Sequence, residues 1–223
     1  MPRLKTRRYD VLTIFPEMIS SYAKESILGR AQEQKLITVT GHDLRQWAED
    51  KHRKVDDTPY GGGPGMVMKV EPIERAVKAV RARKGKKVRV IVTSASGKTF
   101  TQRDAQRLAA YDQLIFICGR YEGIDARVEE HIADESFSIG NYVLTGGELP
   151  ALVMTDAIVR NIPGVLGAKE SLVQESHGED GTLEYPQYTK PSEYKKWKVP
   201  DVLMSGDHKK IEAWRKEQSK RPE

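Results

Sequence analysis

Cysteine is almost absent from this chain, since Cys118 is the only one among 223 residues. A single thiol cannot form an internal disulfide, which excludes the small secreted domains that depend on several such bridges. Cys118 closes the apolar run Leu114–Cys118, so we expect it to be an inert residue of the core. The cysteine content therefore predicts a reducing, cytoplasmic location.

Long hydrophobic runs are lacking as well. No apolar run approaches the roughly 18 residues of a membrane-spanning helix, which excludes a membrane protein and a membrane partner. The N-terminus is basic and then apolar, as in a signal peptide, but its apolar run covers only Val11–Phe15. Pro16 ends that run below the roughly 7–15 residues of a signal-peptide core. We therefore predict that residues 1–8 form a solvated basic extension.

The common metal and nucleotide motifs are also missing. The five histidines form no pair at ligand spacing and have no cysteine beside them, so we expect no metal site. Gly97-Lys98-Thr99 resembles the end of a phosphate-binding loop, but Val92 stands where that motif needs a glycine, which disfavours nucleotide hydrolysis. The stretch GRYEGID at Gly119–Asp125 lacks the third glycine of the dinucleotide-binding fingerprint.

The composition is that of a soluble globular protein. With 38% hydrophobic and 31% charged residues, the chain can bury a core and solvate its surface. Its length fits one large domain, or one domain with a smaller appendage. Lysine and arginine outnumber aspartate and glutamate by 37 to 32, which gives a net charge of +5. This mild basic excess is compatible with a polyanionic partner.

Strand and helix patterns alternate along most of the chain. This alternation predicts an α/β fold with a mostly parallel sheet and helices on both faces. The predicted strands are 9–15, 36–40, 88–92, 114–118 and 135–139. The predicted helices are 16–28 with Gly29 as its stop, one opening at Glu71-Pro72, one capped by Thr101 and Asp104, 126–131, one from Pro150 to about Asn161, and one capped by Asp207. The predicted domains are 9–167, a flexible linker at 168–181, and a small helical domain at 182–223.

Two glycine-bearing loops each follow a predicted buried strand. They are Gly119–Asp125 and the stretch SIGNYVLTGGELP at Ser138–Pro150. Open α/β sheets form their ligand crevices from such loops, because glycine lets the backbone approach a ligand closely. The pattern alone equally allows two tight turns without a ligand.

Seven stretches in order resemble the bacterial tRNA (guanine-N1)-methyltransferase, the TrmD family of the knotted SPOUT class. The resemblance runs from about Tyr9 to the C-terminus. The stretches are VLTIFPEM at 11–18, DKHRKVDDTPYGGGPGM at 50–66, FICGRYEGIDARV at 116–128, SIGNYVLTGGELPA at 138–151, DAIVRNIPGVLG at 156–167, LEYPQYTKP at 183–191 and VPDVLMSGDHKKIEAWR at 199–215.

The resemblance implies a fold and an activity that periodicity does not show. The implied fold has a deep trefoil knot in the C-terminal part of the sheet domain, an exception to the rule that chains are un-knotted. The implied enzyme is a homodimer whose active site is completed by the partner chain. It transfers a methyl group from S-adenosylmethionine to N1 of guanosine at position 37 of tRNA, next to the anticodon. The smaller C-terminal domain would help to grip tRNA.

The resemblance also implies which residues hold the cofactor. Three loops would surround it, at 93–97, 119–123 and 139–147, together with Pro150. Glycine backbone and apolar side chains would recognise the adenine ring, and Tyr121 and Tyr142 could cover the ring or the sulfonium. The implied cofactor-binding residues are Thr93, Ser94, Ala95, Gly97, Gly119, Arg120, Tyr121, Glu122, Gly123, Ile139, Gly140, Asn141, Tyr142, Val143, Leu144, Gly146, Gly147 and Pro150. Asn141 departs from the aspartate of many members, and Ala95 from a frequent proline.

The resemblance also implies a catalytic pair, an arginine and an acid, in the segment after these loops. Arg160 would stabilise the charge that builds on guanine O6, and Glu175 would take the N1 proton as general base. The family usually has aspartate at the position of Glu175, and Glu179 and Asp180 compete with it for this role. For tRNA, the expected contacts are Lys51, Arg53, Lys190, Lys195, Lys196 and Lys198.

Two other functions remain open at this point. One is a knotted methyltransferase that acts on a ribose hydroxyl, although YGGGPGM and the segment from Arg160 to Glu175 favour the guanine-specific family. The other is a tRNA-binding module that has lost catalysis, because Asn141 and Glu175 depart from the family pattern.

Overall fold

The computed structural model describes residues 6–82, 84–166 and 183–219. The chain forms two compact units, Met1–Gly167 and Ala168–Glu223. In the first unit the elements are β1 (Arg7–Thr13), α1 (Pro16–Ala23), α2 (Ser26–Glu33), β2 (Ile37–Asp43), a 3₁₀ turn (Leu44–Trp47), β3 (Asp56–Asp57), β4 (Val67–Met68), α3 (Val70–Val80), β5 (Val88–Thr99), α4 (Gln102–Leu108), β6 (Gln113–Cys118), α5 (Ala126–His131), β7 (Glu135–Ser138) and α6 (Glu148–Val159). In the second unit they are β8 (Glu193–Tyr194), β9 (Trp197–Lys198), α7 (Asp201–Met204) and α8 (His208–Gln218).

Five strands of the first unit form one sheet in the order β2-β1-β6-β5-β7. All four neighbouring pairs are parallel, with Arg8 of β1 opposite both Thr38 and Gln113. Parallel strands place their carboxyl ends at one edge of the sheet, and the loops that leave this edge can therefore build a common site. The α/β fold with a mostly parallel sheet is confirmed.

Both faces of the sheet are buried, as the alternating side chains of β6 show. Leu114, Phe116 and Cys118 face a core that includes residues of α1, α2, α4 and α6. Ile115 and Ile117 face a second core that includes residues of α3, α5 and the 3₁₀ turn. A strand covered on both faces reads as a continuous apolar run, which is why β6 is the plainest strand in the sequence.

Helix capping agrees with the sequence pattern at two places. Thr101 accepts a hydrogen bond from the Asp104 amide at 3.3 Å, and the Asp104 carboxylate accepts from the Thr101 amide at 3.2 Å, which is the predicted capping box of α4. Asp207 accepts from the amides of Lys209 and Lys210 at the start of α8, as predicted. The helix α5 has the predicted bounds.

The predicted helix 16–28 is wrong in one respect, because two helices occupy this region. The chain turns between α1 and α2, where Ser26 has a φ of 48°. Gly29 lies inside α2 instead of ending a helix, and a Cβ there would overlap the carbonyl oxygen of Lys24. The glycine is needed because the backbone of the preceding turn packs against it.

Several strand bounds also differ from expectation, and β2, for example, ends at Asp43 instead of residue 40. β1 begins at Arg7, inside the segment expected to be a solvated extension, because its parallel partners continue that far. β5 does not end at Val92, since Lys98 and Thr99 pair again with β7 after a shift in register. Residues 94–97 therefore leave the sheet as a short excursion and return to it.

A buried polar network lies between β1, β2 and β6. The carboxylate of Asp10 accepts hydrogen bonds from Gln113 at 2.6 Å and from Arg8 at 3.1 Å, and lies 2.8 Å from His42 Nε2. Burial raises the pKa of Asp10, but the hydrogen bonds from His42, Gln113 and Arg8 outweigh burial and hold the pKa below its ordinary value. Asp10 is therefore a buried carboxylate that remains charged.

The second unit contains an antiparallel hairpin, β8–β9, and the short helix α7 followed by α8. Neither α7 nor α8 has a buried residue. Across the described residues of both units, none of the helices combines the length and apolar character that a membrane crossing requires.

Candidate cofactor-binding site

A cavity of about 350 Å³ opens at the carboxyl ends of β5, β6 and β7. Its walls are the excursion in β5, the loop after β6 and the loop between β7 and α6. The lining residues are Val92, Thr93, Ser94, Ala95, Ser96, Gly119, Arg120, Tyr121, Glu122, Gly123, Ile124, Glu129, Phe137, Ser138, Ile139, Tyr142, Val143, Leu144, Thr145, Gly146, Gly147 and Pro150. Two glycine-bearing loops that are separate in sequence thus share one cavity.

Nearly all of the predicted cofactor-binding residues line this cavity. The exceptions are Gly97, Gly140 and Asn141. Gly97 packs against the backbone of β7, where a Cβ would lie 2.7 Å from the amide nitrogen of Phe137. Gly97 therefore lets the excursion return to the sheet and does not face the cavity.

Sequence reasoning missed five lining residues, which lie outside the predicted loops 93–97, 119–123 and 139–147. They are Val92, Ile124, Glu129, Phe137 and Ser138, whereas Ser96 and Thr145 lie within those loops. Most of them lie at strand ends or in a helix, where no glycine or turn pattern marks a ligand site. The carboxyl edge of a parallel sheet is the one signal that would have included the residues at the strand ends.

The loop before α6 crosses the ends of the strands at Gly147. The Gly147 amide donates a hydrogen bond to the carbonyl of Gly119 at 2.9 Å. A Cβ on Gly147 would overlap Thr93 Oγ1 and lie 2.8 Å from the Cα of Cys118. The loop before α6 therefore passes directly over the ends of β5 and β6, and only glycine fits at this crossing.

A buried ion pair supports one wall of the cavity. Arg120 Nε donates to the Glu148 carboxylate at 2.9 Å, and the other carboxylate oxygen accepts from Thr13 Oγ1 at 2.6 Å. Glu148 is fully buried, and Arg120 also donates to the carbonyl of Thr145 at 3.2 Å. A Cβ on Gly146 would overlap the Arg120 guanidinium, so that glycine makes room for the pair. Three separate segments are joined here.

Cys118 lies at the end of β6, close enough to this pair for both charges to act on its thiol. It is fully buried, and burial, assisted by the charge of Glu148, raises the pKa of its thiol well above the usual value. A neutral, inaccessible thiol is a poor nucleophile, so Cys118 is a core residue.

The glycine-rich loop at 58–66 lies beside the cavity wall. The strand β4 that follows it bonds to the loop after β6, through Met68 N to the Gly123 carbonyl at 2.9 Å and Glu122 N to the Met66 carbonyl at 3.0 Å. A Cβ on Gly65 would overlap the Glu122 side chain, and Tyr60 is fully exposed. Glu122 thus connects the glycine-rich loop to the cavity.

Of the two predicted catalytic residues, only Arg160 lies within the described part of the chain. Arg160 caps the C-terminus of α6, and its amide donates to the carbonyl of Asp156 at 3.3 Å. Asp156 also accepts from the Tyr22 hydroxyl at 2.9 Å, which raises the pKa of Tyr22. Glu175 lies outside the described residues, as do its competitors Glu179 and Asp180.

The predicted tRNA contacts are all exposed. Lys51 and Arg53 lie on a turn that Asp50 holds by accepting from the amides of His52 at 2.9 Å and Lys54 at 2.8 Å. The other four lie in the second unit and are Lys190, Lys195, Lys196 and Lys198. Within the described parts of the chain, no group of three or more His, Cys, Asp or Glu side chains is arranged to hold a metal ion.

A parallel sheet that carries a loop-walled cavity at its carboxyl edge is the arrangement in which open α/β proteins bind their ligands. The model of the family described as tRNA (Guanine-1)-methyltransferase TrmD matches residues 7–222. The chain belongs to this family.

Individual relatives agree with the family match. The chain is 51% identical over 212 residues to the tRNA (guanine-N(1)-)-methyltransferase of Ruminiclostridium cellulolyticum, covering 95% of this chain and 91% of the relative. It is 51% identical over 211 residues to the enzyme of that name from Staphylococcus carnosus, covering 95% and 85%. The enzyme of that name from Thermomicrobium roseum is 52% identical over 209 residues, covering 94% and 77%.

Proposed function

We propose that this protein transfers a methyl group from S-adenosylmethionine to N1 of the guanosine at position 37 of tRNA. The observation that carries the proposal is the cavity at the ends of β5, β6 and β7, whose walls include two glycine-bearing loops. The chain that forms this cavity is a member of the family. The ~50% identity to enzymes named for guanine-N1 methylation supports the acceptor atom.

The lining of the cavity suits this cofactor. Its volume of about 350 Å³ is at the lower end of the range typical of small-molecule pockets, roughly 300–1,000 Å³. Ile139, Leu144 and Pro150 offer an apolar wall for an adenine ring, and glycine backbone offers hydrogen-bonding groups nearby. The carboxylates of Glu122 and Glu129 are complementary to the positive charge of the cofactor.

The residues of this chain supply alignment and proton transfer. S-adenosylmethionine, when bound, supplies a methyl group attached to a sulfonium, and because the sulfur leaves as a neutral thioether, its departure needs no acid. Guanine N1 must lose its proton as it receives the methyl group, and we assign Glu175 to accept that proton. Arg160 stabilises the negative charge that develops on O6. The Arg120–Glu148 pair holds the cavity wall in place for this alignment.

The proposal includes a homodimer with a shared active site. The exposed face of α6 carries Leu149 and Val153, which are 53% and 50% exposed, and Val143 in the preceding loop is 85% exposed. Apolar side chains that are this exposed beside a cavity favour a self-complementary two-fold interface. The trefoil knot of the family belongs to the same proposal.

The second unit and the turn at Lys51 and Arg53 are proposed to bind tRNA. Their lysine and arginine side chains are exposed and would neutralise phosphates. The domain division at residues 168–181 and a cytoplasmic location are part of the same proposal, since tRNA is a cytoplasmic substrate.

Product analysis tests the function. The protein is incubated with methyl-labelled S-adenosylmethionine and unmodified tRNA, and the nucleosides of the digested tRNA are separated. The proposal predicts label in 1-methylguanosine. Label in a 2′-O-methyl nucleoside would identify a ribose methyltransferase, and tRNA binding without label would identify a binding module.

A further inference from the structure

Two large aromatic side chains lie exposed on the hairpin of the second unit. Tyr194 and Trp197 face each other across the hairpin β8–β9, with ring centroids 5.8 Å apart and an angle of 48° between their planes. Tyr194 is 56% exposed and Trp197 is 70% exposed. Exposed aromatic pairs are uncommon on a purely solvated surface, so this pair, here called the aromatic platform, indicates a contact surface.

Lysines surround the aromatic platform. Lys195 Nζ lies 5.5 Å from the Tyr194 ring centroid and 5.8 Å from that of Trp197. Residues 190–198 contain four lysines and one glutamate, and that glutamate, Glu193, lies 3.8 Å from Lys198. Protein–protein interfaces are depleted of lysine, whereas four of these nine positions are lysine. The composition therefore fits a polyanion better than a protein.

The backbone of Lys195 is in an unfavourable conformation. Its φ is 57°, in the left-handed region that two-residue hairpin turns usually fill with glycine, asparagine or aspartate. A glycine would form the same turn without strain, so the turn itself does not require a lysine. Strain of this kind concentrates at functional surfaces, and here it places a cation over both rings.

We propose that Tyr194 and Trp197 stack on an unpaired base of the bound RNA, while Lys195 and Lys196 contact the neighbouring phosphates. The inference rests on the proposed function, because tRNA is the RNA in question. A paired base has neighbours on both faces, so only a base in a loop can offer a free face to the rings. Stacking on aromatic side chains tolerates any base, and so the platform contributes affinity without reading sequence.

Equilibrium binding of an anticodon stem-loop RNA to matched variants tests the inference. Trp197→Ala removes a ring and no charge, Trp197→Phe keeps a ring, and Lys196→Ala removes a charge and no ring. We expect Trp197→Ala to weaken binding roughly tenfold or more at all salt concentrations, because stacking does not depend on salt. Trp197→Phe should recover most of the affinity. Lys196→Ala should make the slope of log affinity against log salt concentration less negative by roughly 0.7–0.9.

A set of stem-loops, each with one abasic position in its loop, locates the base that stacks. For one position, removing the base should weaken binding to the wild type but not to Trp197→Ala, which is the coupling expected of a direct contact. A fully paired RNA of equal length should bind the two proteins equally.

Three outcomes would overturn the inference. The first is wild-type affinity in both Trp197→Ala and Tyr194→Ala, and the second is an equal loss of affinity for paired and unpaired RNA. The third is a change in the sedimentation of Trp197→Ala without RNA, which would show that the rings contact another copy of the chain. If the wild type methylates tRNA while either of the first two outcomes is seen, only the stacking proposal fails. If the wild type makes no 1-methylguanosine, the proposed function fails whatever the binding shows.

Discussion

The guanidinium of Arg120 lies on the fully buried carboxylate of Glu148, with Nε 2.9 Å from the nearer oxygen. Glu148 is in the first turn of α6, where the helix dipole favours a negative charge. The pair joins α6 to the loop after β6, and Thr13 adds the end of β1. We infer that this contact holds the cavity in a preformed shape.

Removing one partner should therefore cost both stability and cofactor affinity. Glu148→Ala leaves a largely buried guanidinium without its partner, and we expect the free energy of unfolding to fall by about 3–5 kcal/mol. Urea unfolding measures this loss, and calorimetry measures the affinity for S-adenosylmethionine, which should also fall. Glu130→Ala, at an exposed glutamate of α5, is the control and should change the free energy of unfolding by about 0.5 kcal/mol or less. If the double variant lost as much free energy of unfolding as Arg120→Ala and Glu148→Ala lose together, the two side chains would not be coupled, and the prediction would be contradicted.

Gly147 should tolerate no side chain. In Gly147→Ala the new Cβ would overlap Thr93 Oγ1 and approach backbone atoms of Cys118 and Gly119, none of which can move without disturbing β5 or β6. The matched substitution is Gly119→Ala, whose Cβ would meet only the flexible side chain of Ile124 at 3.2 Å. We expect overpacking to destabilise Gly147→Ala by about 1–3 kcal/mol and Gly119→Ala by clearly less. The reverse order in thermal unfolding would show that the loop crosses the sheet differently.

Asp10 should make the protein sensitive to acid. Because its folded pKa lies below the ordinary value of 3.8, its contribution to stability is full above that value and is lost as the pH falls through the folded pKa. As the pH falls below about 3.8, the free energy of unfolding should therefore fall more steeply in the wild type than in Asp10→Asn. Glu33→Gln, at an exposed carboxyl of α2, should follow the wild-type curve. Parallel curves for the wild type and Asp10→Asn would refute the role of this network.

Two elements that depend only on residues close together in sequence were predicted correctly. The capping box of Thr101 and Asp104 and the apolar run of β6 are legible because each is complete within a few residues. The break at Ser26 was missed because the contact that requires Gly29 comes from the packing of one turn on another. The second pairing of β5 with β7 was missed for a different reason, since Lys98 and Phe137 are far apart in sequence.

In the candidate site, too, the features set by neighbouring residues were predicted and those set by distant residues were not. The glycine-bearing loops marked most of the cavity lining, because close backbone approach requires glycine wherever it occurs. Glu129 and Phe137 carried no such signal, since a glutamate in a helix and a phenylalanine in a strand have ordinary structural roles. The pairing of Arg120 with Glu148 joins residues that are distant in sequence, so only the fold shows it.

Mixed dimers should recover activity if the active site is shared between chains. Arg160→Ala and Glu175→Gln proteins are each mixed with Gly147→Ala protein, after the residual activity of each separate protein has been measured. If one catalytic residue acts across the interface, random exchange gives heterodimers with one intact site, and roughly a quarter of wild-type activity returns in at least one mixture. Mixtures that do not exceed this residual activity, although exchange of subunits is shown by mass spectrometry, would place the whole site within one chain.

The central claim is methylation of N1 of guanosine 37, and mapping the methyl group in single-turnover reactions tests it most directly. Wild-type protein is given tRNA with guanosine or adenosine at position 37, and the methylated nucleotide is located by mass spectrometry of the digested fragments. We predict 1-methylguanosine at position 37 of the first tRNA only, formed roughly a hundredfold more slowly by Glu175→Gln, in line with typical acid–base contributions. A methyl group on ribose, at another guanosine, or on the tRNA with adenosine 37 would contradict the account.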